Sequence, residues 1–478
     1  MREQPDALPF QPITLADRPR LLTYLRTRRT TCDWTFANLF CWQAPYHMQW
    51  AELPHWLVIR CLVDGKRRMG FMVVPDDPAR SYADIVPALQ EEAARLDSPL
   101  LLANLSDAEC DALRRQLPDT FAFDRNRDFD DYVYLRQDLA ELRGRKYSAK
   151  RNHVNKFAKT HTYDFRPLQR QDFAECLRLE NEWRGQHNAL PEHLTAEQQA
   201  IRMAFDNYEA LELFGGVLRV DDRIVAFTYG SALNDNTFCT HIEKADIRYE
   251  GVYPMINYLF ANSLPEKFTF VNREEDMGLP GLRQSKLSYL PTQLAPKHVA
   301  LGLTEEMRDL AALWQTCFGD EDAFIHSFLT RHYYPECTFV QRETGRIVSM
   351  CFVIPCHTVL GPTAYLYAIA TDPNFRGRGY ASTLVQRALT TAREHGFTAA
   401  MLIPADDGLK GFYQRLGFID TGVPVAFAGE LDLGSGDSTT DIAMVAPLAK
   451  DLSVNNIDRS INESYRLLLS PAHTCLLS

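Results

Sequence analysis

Two short segments in the last third of the chain place chemistry-bearing residues at telling spacing. The first reads Leu366-Tyr-Ala-Ile-Ala-Thr-Asp-Pro-Asn-Phe-Arg-Gly-Arg-Gly-Tyr-Ala381. An apolar strand ends near Thr371, a loop with Pro373 follows, and Arg376-Gly377-Arg378-Gly379-Tyr380-Ala381 leads into a helix with apolar residues at Leu384, Ala388 and Leu389. Gly377 and Gly379 let the backbone come close to a ligand. The unpaired N–H groups of a helix start form an anion site suited to a pyrophosphate, and Arg376 and Arg378 add positive charge. The loop is neither the dinucleotide pattern GxGxxG nor the phosphate-loop pattern GxxxxGK[ST]. The second segment, Gly411-Phe-Tyr-Gln-Arg-Leu-Gly-Phe418, follows a strand over 399–403. Phe412, Leu416 and Phe418 read as core, leaving the Tyr413 hydroxyl as its polar group.

The pair of segments resembles the GNAT acetyltransferase superfamily, whose hallmark is R/Q-x-x-G-x-G/A followed by a YxxLGF-like stretch. The resemblance implies acetyl-CoA as co-substrate and no metal. It implies that the backbone amides of Arg376, Gly377, Arg378, Gly379, Tyr380 and Ala381 hold the CoA pyrophosphate. It also implies that Ile369-Ala370-Thr371 pairs with pantetheine like an added strand. Tyr413 stands at the position of the family's tyrosine that protonates the departing thiolate, a role suited to a hydroxyl acting as general acid. Where many members carry Asn before that tyrosine, this chain has Asp406. Tyr367 and Asp406 are the candidates for a general base by position, with water a third option. The acceptor is expected to be a small-molecule or peptide amine.

Two earlier segments concentrate charge. Arg143-Gly-Arg-Lys-Tyr-Ser-Ala-Lys-Arg-Asn-His-Val-Asn-Lys-Phe157 is basic within an acidic chain, and helical spacing would put Lys146, Lys150 and His153 on one face. Such a face suits tRNA phosphates or an anionic lipid headgroup; a plainly solvated face is the alternative. Val271-Asn-Arg-Glu-Glu-Asp-Met-Gly-Leu-Pro-Gly-Leu-Arg-Gln-Ser-Lys286 follows a strand and gathers Asn272, Arg273, Glu274, Asp276, Arg283 and Lys286. Mixed charge at a strand end suits a polar ligand, and equally a salt-bridged structural loop. These segments, with Asp131-Tyr-Val-Tyr134 and Trp34-Thr-Phe-Ala-Asn-Leu-Phe40, make residues about 10–296 resemble an uncharacterised bacterial family. That family is similar to the C-terminal domain of phosphatidylglycerol lysyltransferases, which are tandem GNAT-like folds that move an amino acid from aminoacyl-tRNA to a lipid. The second of these units carries Glu243-Lys-Ala-Asp-Ile-Arg-Tyr-Glu-Gly251 in place of an R-x-x-G-x-G/A loop.

The elements needed to position these residues recur three times. Residues 56–63 and 69–75 read as a hairpin around Asp64-Gly65, followed by helices over 82–96 and 107–117, the latter capped by Ser106. Residues 217–220 and 223–230 flank the turn Asp221-Asp222, Asn234-Asp235-Asn236 is a second turn, and 237–243, 253–262 and 268–272 continue as strand, helix and strand. Helices over 310–318 and 321–331 precede strands over 337–341 and 346–355 around Glu343-Thr344-Gly345; strand 364–371, helix 380–394 and strand 399–403 follow. The expected fold is α/β (α+β) with three GNAT-like mixed-sheet units: residues 1–135 and 136–296 as a tandem pair, 297–450 as the acetyltransferase domain, and 451–478 as a tail.

Composition bounds the rest. A chain of 478 residues with 46% hydrophobic and 24% charged residues is globular rather than disordered. Its net charge of -11 excludes a global basic footprint for nucleic acid. The 11 cysteines form no CxxC pair, so they read as reduced thiols rather than a zinc site. No signal-like or membrane-spanning apolar run stands out, and a cytoplasmic protein is expected. An acyl-CoA-dependent N-acyltransferase is the leading expectation, with an aminoacyl-tRNA-dependent transferase or a non-catalytic CoA-binding module as alternatives.

Overall fold

The computed structural model describes residues 7–25, 30–63, 68–186, 191–427, 442–449 and 467–471. The chain divides into two compact units. The first holds residues up to Leu117 and Arg125–Val299; the second holds Pro118–Asp124 and everything from Ala300.

The first unit contains two mixed sheets. One begins β1 (Gln49–Leu53), β2 (Trp56–Val63), β3 (Arg68–Pro75) and β4 (Leu101–Leu105), with β3 and β4 parallel. The expected turn at Asp64-Gly65 lies outside the described residues. The helix Asp107–Gln116 starts where its cap dictates: the Glu109 amide donates to the Ser106 hydroxyl, and Glu109 accepts in return from the Ser106 amide at 2.8 Å. Such a cap contributes about 1 kcal/mol. Strand β5 (Phe121–Arg125) lies almost wholly in the Pro118–Asp124 segment.

The second sheet takes β6 (Asp131–Leu135), β7 (Tyr163–Pro167), β8 (Phe214–Val220), β9 (Arg223–Ala232), β10 (Thr237–Ala245), β11 (Phe270–Asn272) and β12 (Gln293–Ala295), in the order β12-β6-β11-β10-β9-β8-β7. Strand β6 thus sits between two strands from far downstream, with Leu135 opposite Phe270 and Val133 opposite Gln293. A cut after residue 135 would separate β6 from its sheet. Asp221 and Asp222 both take positive φ (48° and 61°), which makes the two-residue turn that carries β8 into β9.

After β13 (His298–Gly302), the second unit opens with helices Glu305–Phe318 and Asp322–His332. Its sheet comprises β14 (Thr338–Glu343), β15 (Arg346–Thr358), β16 (Gly361–Thr371), β17 (Ala399–Leu402), β18 (Ile419–Phe427), β19 (Ile442–Pro447) and β20 (Leu467–Pro471), ordered β14-β15-β16-β17-β19-β18-β20. Thr344 and Gly345 turn β14 into β15 with φ of 49° and 86°. The apolar stripe Leu384, Val385, Ala388, Leu389 and Ala392 seats the helix Tyr380–Glu394 on this sheet's core. Part of the tail, Leu467–Pro471, adds a strand parallel to β18 and antiparallel to the end of β15. No helix among the described residues is long and apolar enough to cross a membrane.

Candidate functional site

In the second unit, β16 pairs with β17 only over Thr363–Tyr365 against Ala399–Met401. Beyond that point no strand among the described residues pairs with the outer edge of β16. A bulge opposite Cys351 and a left-handed Ala368 (φ 47°) turn the strand where the pairing ends. Ile369, Ala370 and Thr371 therefore form a bent strand end with one edge held by β15 and the other open, which is the geometry an amide-bearing chain needs to add itself as a strand.

The glycine loop follows directly. Asp372 accepts from the Asn374 amide at 2.8 Å, and Arg376 Nε donates to the Thr371 carbonyl at 3.2 Å, folding the loop over the strand end. Gly377 (φ 77°) and Gly379 (φ 82°) both need the left-handed region, and a Cβ on either would meet nothing within 4 Å. Gly379 caps the 15-residue helix without any side-chain cap, so the first N–H groups and the helix dipole face open space. Arg378 lies over the Phe375 ring at 4.8 Å, and the Tyr380 hydroxyl donates to Glu343.

Tyr413 lies on the short helix Lys410–Gln414, 7% exposed, against Phe412 and Phe418. Burial, with Cys351 and Asp406 adding, pushes its phenol up to about 12, so at neutral pH it holds its proton and has one to donate. Tyr367 packs on Phe328 and Trp314, and burial with Asp320 pushes it up to about 12; a phenol held protonated opposes a base role there. Asp406 is exposed and caps its local turn, accepting from the Leu409 amide at 3.2 Å.

The second sheet of the first unit repeats strand, loop and helix with β10, Asp246–Gly251 and Val252–Ser263. Gly251 also takes positive φ (84°), but a Cβ there would lie 2.8 Å from the His153 carbonyl oxygen. The helix Ser148–Thr160 covers this helix start, and Lys156 pairs with Glu250 at 2.5 Å beside it. The basic segment does not gather Lys146, Lys150 and His153 into one charged face. Lys146 precedes the helix and pairs with Asp138 at 3.2 Å. Lys150 turns onto the Tyr289 ring at 4.0 Å, where burial and Arg273 lower it to about 8.

The charged loop is brought together, and its groups pair with one another, save Arg273 Nη1, which is buried without a hydrogen-bond partner. Asn272 donates to Asp131 at 2.7 Å, and Arg273 pairs with Glu243 at 2.9 Å. The Lys286 ammonium donates to the backbone carbonyls of Arg273, Glu274 and Glu275. Asp276 accepts from Arg283, Tyr132 and the Gly278 amide. Burial acts against its charge, yet these donors hold it at about 2, below the ordinary 3.8. A depressed carboxylate stabilises above its unfolded pKa and loses that contribution as pH falls through its folded pKa. Asp276 is expected to contribute about 2 kcal/mol near neutral pH, lost between about pH 4 and pH 2. Acid unfolding followed by tryptophan fluorescence should show this step for the native chain and lack it for Asp276→Asn.

Behind this loop lies a centre that spacing along the chain did not disclose. Lys297 Nζ stands 2.7 Å from Asp33, 2.8 Å from Asp131, 3.0 Å from Glu275 and 3.3 Å from Cys32 Sγ. Burial pushes the Asp131 carboxyl up to about 7 against the pull of Lys297. Glu275, whose burial acts the same way, is held at about 2 by Lys297 and Lys286. Nearby, His241 bridges Ser231 and Glu274. Cys32, Asp131 and Glu275, and separately Cys239, His241 and Glu274, come close enough to share a metal ion. Their donor atoms are already engaged: an ammonium occupies the first set, and the imidazole of the second bonds through both nitrogens. Burial raises the Cys32 and Cys239 thiols well above their ordinary value, which opposes the thiolate a metal would need. Of these residues the sequence marked Glu274 as a site candidate and Asp131 only within the segment Asp131–Tyr134; the others meet through the sheet.

An open strand edge, a glycine-led helix start and a buried phenol define an acyltransferase unit, and the family matches agree. Residues 304–418 match the acetyltransferase (GNAT) family, and residues 25–301 match the family described as phosphatidylglycerol lysyltransferase, C-terminal. The latter covers more than half of the chain, which belongs to that family. A conserved protein of unknown function from Bacteroides thetaiotaomicron is 37% identical, with a TM-score of 0.58 over 62% of this chain and 100% of its own. The C-terminal domain of a putative lysylphosphatidylglycerol synthetase from Agrobacterium fabrum is 14% identical, with a TM-score of 0.44 over 61% of this chain and 93% of its own. The GNAT acetyltransferase YhbS from Escherichia coli, solved in complex with CoA, is 17% identical, with a TM-score of 0.27 over 36% of this chain and 87% of its own. No curated protein matches.

Proposed function

We propose that the second unit transfers an acyl group, acetyl in the simplest case, from CoA to the nitrogen of an amine. The observation that carries this reading is the open loop Arg376–Ala381 directly after the open edge at Ile369–Thr371. The loop amides and Arg376 neutralise a pyrophosphate, the strand edge pairs with the pantetheine amides, and the thioester reaches the gap where β16 and β17 part. The amine attacks the thioester carbonyl, the C–S bond breaks, and the Tyr413 phenol gives its proton to the departing thiolate. The amine's own proton leaves to water or to the exposed Asp406 carboxylate.

General acid catalysis is worth roughly 10²–10⁴ in rate. Tyr413→Phe keeps the ring that packs on Phe412 and Phe418, so thiol release from acetyl-CoA in the presence of an amine should fall about 100-fold with the melting temperature nearly unchanged. Unaltered turnover would remove Tyr413 from the chemistry. An unaltered chain that binds acetyl-CoA but never releases thiol would point to a non-catalytic CoA-binding module.

Family membership over residues 25–301 favours a second reading, in which the first unit takes an aminoacyl group from tRNA and passes it to an anionic lipid or another acceptor. Donor competition separates the two. Acyl transfer that requires acetyl-CoA and ignores aminoacyl-tRNA supports the first reading; the converse supports the second.

A further inference from the structure

Ser231, His241 and Glu274 form a relay that acyl-CoA chemistry in the second unit leaves unused. The hairpin of β9 and β10 sets Ser231 opposite Cys239, and the register shifts between Thr240 and Ile242, leaving His241 as the extra residue of a bulge. Bulges re-aim side chains beside sites. Here the bulge puts His241 Nε2 2.8 Å from Ser231 Oγ, while Nδ1 lies 2.9 Å from Glu274 Oε1. Asn38 Nδ2 donates to the same Glu274 oxygen at 3.0 Å. Glu274 itself sits at φ 57°, a conformation that is unfavourable for a residue with a side chain and persists where the surroundings impose it. The serine is 7% exposed and the imidazole 5%, so the relay is nearly dry and its electrostatics are strong. Asn38 and His241 also line a small cleft of about 10 Å³ beside Trp42, Ala200, Leu213 and Tyr229, room for about one water molecule.

A hydroxyl bonded to an imidazole that is in turn oriented by a carboxylate is the arrangement that activates serine as a nucleophile. We propose that Ser231 accepts an acyl group from an activated oxygen ester, with His241 as general base, Glu274 as its positioning residue and the small cleft beside His241 as the place of a hydrolytic water. Ser231 Oγ bonds to the ester carbonyl carbon, and the bond from that carbon to the leaving oxygen breaks. The hydroxyl proton passes to His241 Nε2 and on to the leaving oxygen. A second nucleophile, amine or water, then attacks the acyl-serine, and its proton returns by the same route to Ser231 Oγ. No electrons change hands beyond these bonds.

The test uses the full chain with p-nitrophenyl acetate and p-nitrophenyl butyrate, reading nitrophenolate release and the mass of the tryptic peptide containing residue 231. The expected result is a burst of one nitrophenolate per chain with the acyl group on Ser231. His241→Gln should slow acylation by roughly 10²–10⁴, and Glu274→Gln should slow it with KM for the ester unchanged. Ser231→Ala should lose the burst. A Gly379→Trp chain should still acylate at the native rate, so failure of the acyl-CoA reading leaves this one standing. An unmodified Ser231 in the native chain with both esters, or an adduct found only elsewhere, would overturn the proposal without reference to how any variant folds.

Discussion

Replacing Lys297 by methionine is expected to destabilise the first unit by about 3–5 kcal/mol. The ammonium is 9% exposed and lies within 3.0 Å of three carboxylates, one of them, Asp131, wholly buried. Burial opposes its charge, yet Asp131, Asp33, Cys32 and Glu275 together raise its pKa well above the ordinary value. Methionine fills a similar volume, so the loss is electrostatic: Asp131 and Glu275 would face each other with no cation between them. The deficit should shrink as pH falls, because protonating either carboxyl removes the unpaired charge. Urea unfolding at pH 8 and pH 5 checks both the size and the trend. A loss below about 1 kcal/mol at both pH values would mean that the carboxylates are not held apart by Lys297.

Gly379→Trp should weaken acetyl-CoA binding at least 100-fold, about 2.7 kcal/mol, while leaving the second unit folded. Positive φ at residue 379 costs a side-chain-bearing residue about 1–2 kcal/mol, a tolerable strain at an exposed helix start. The new side chain meets no protein atom at its Cβ and so fills the space in front of the helix amides. Titration calorimetry beside a melting curve separates lost binding from lost folding. Binding at native affinity in the variant would place the nucleotide elsewhere.

Local turn chemistry made much of this site legible in the sequence. The helix expected over 380–394 begins and ends on those residues because Gly379 permits the left-handed cap and the apolar stripe repeats at helical spacing. The hairpins at Asp221-Asp222 and Thr344-Gly345 are likewise set by the conformations those residues accept. Clusters assembled by tertiary topology were not legible. Lys297 meets Asp33, Asp131 and Glu275 only once β6 lies between β11 and β12, and nothing in the spacing of those four residues announces it. Ser231 and His241 are ordinary strand residues until a one-residue bulge aligns them with a loop more than thirty positions away. The basic segment failed as a charged face for the same reason. Lys150 found an aromatic ring and Lys146 a carboxylate, neither predictable from helical spacing.

The central claim is that one of two similar strand–loop–helix units is open to CoA: Gly379 faces free space, whereas Gly251 faces the His153 carbonyl. The most direct measurement is the stoichiometry of acetyl-CoA binding to the full chain by titration calorimetry. One site per chain, lost in Gly379→Trp and preserved in Lys150→Met, is the predicted result. Two sites, or no heat with acetyl-CoA in large excess, would contradict it.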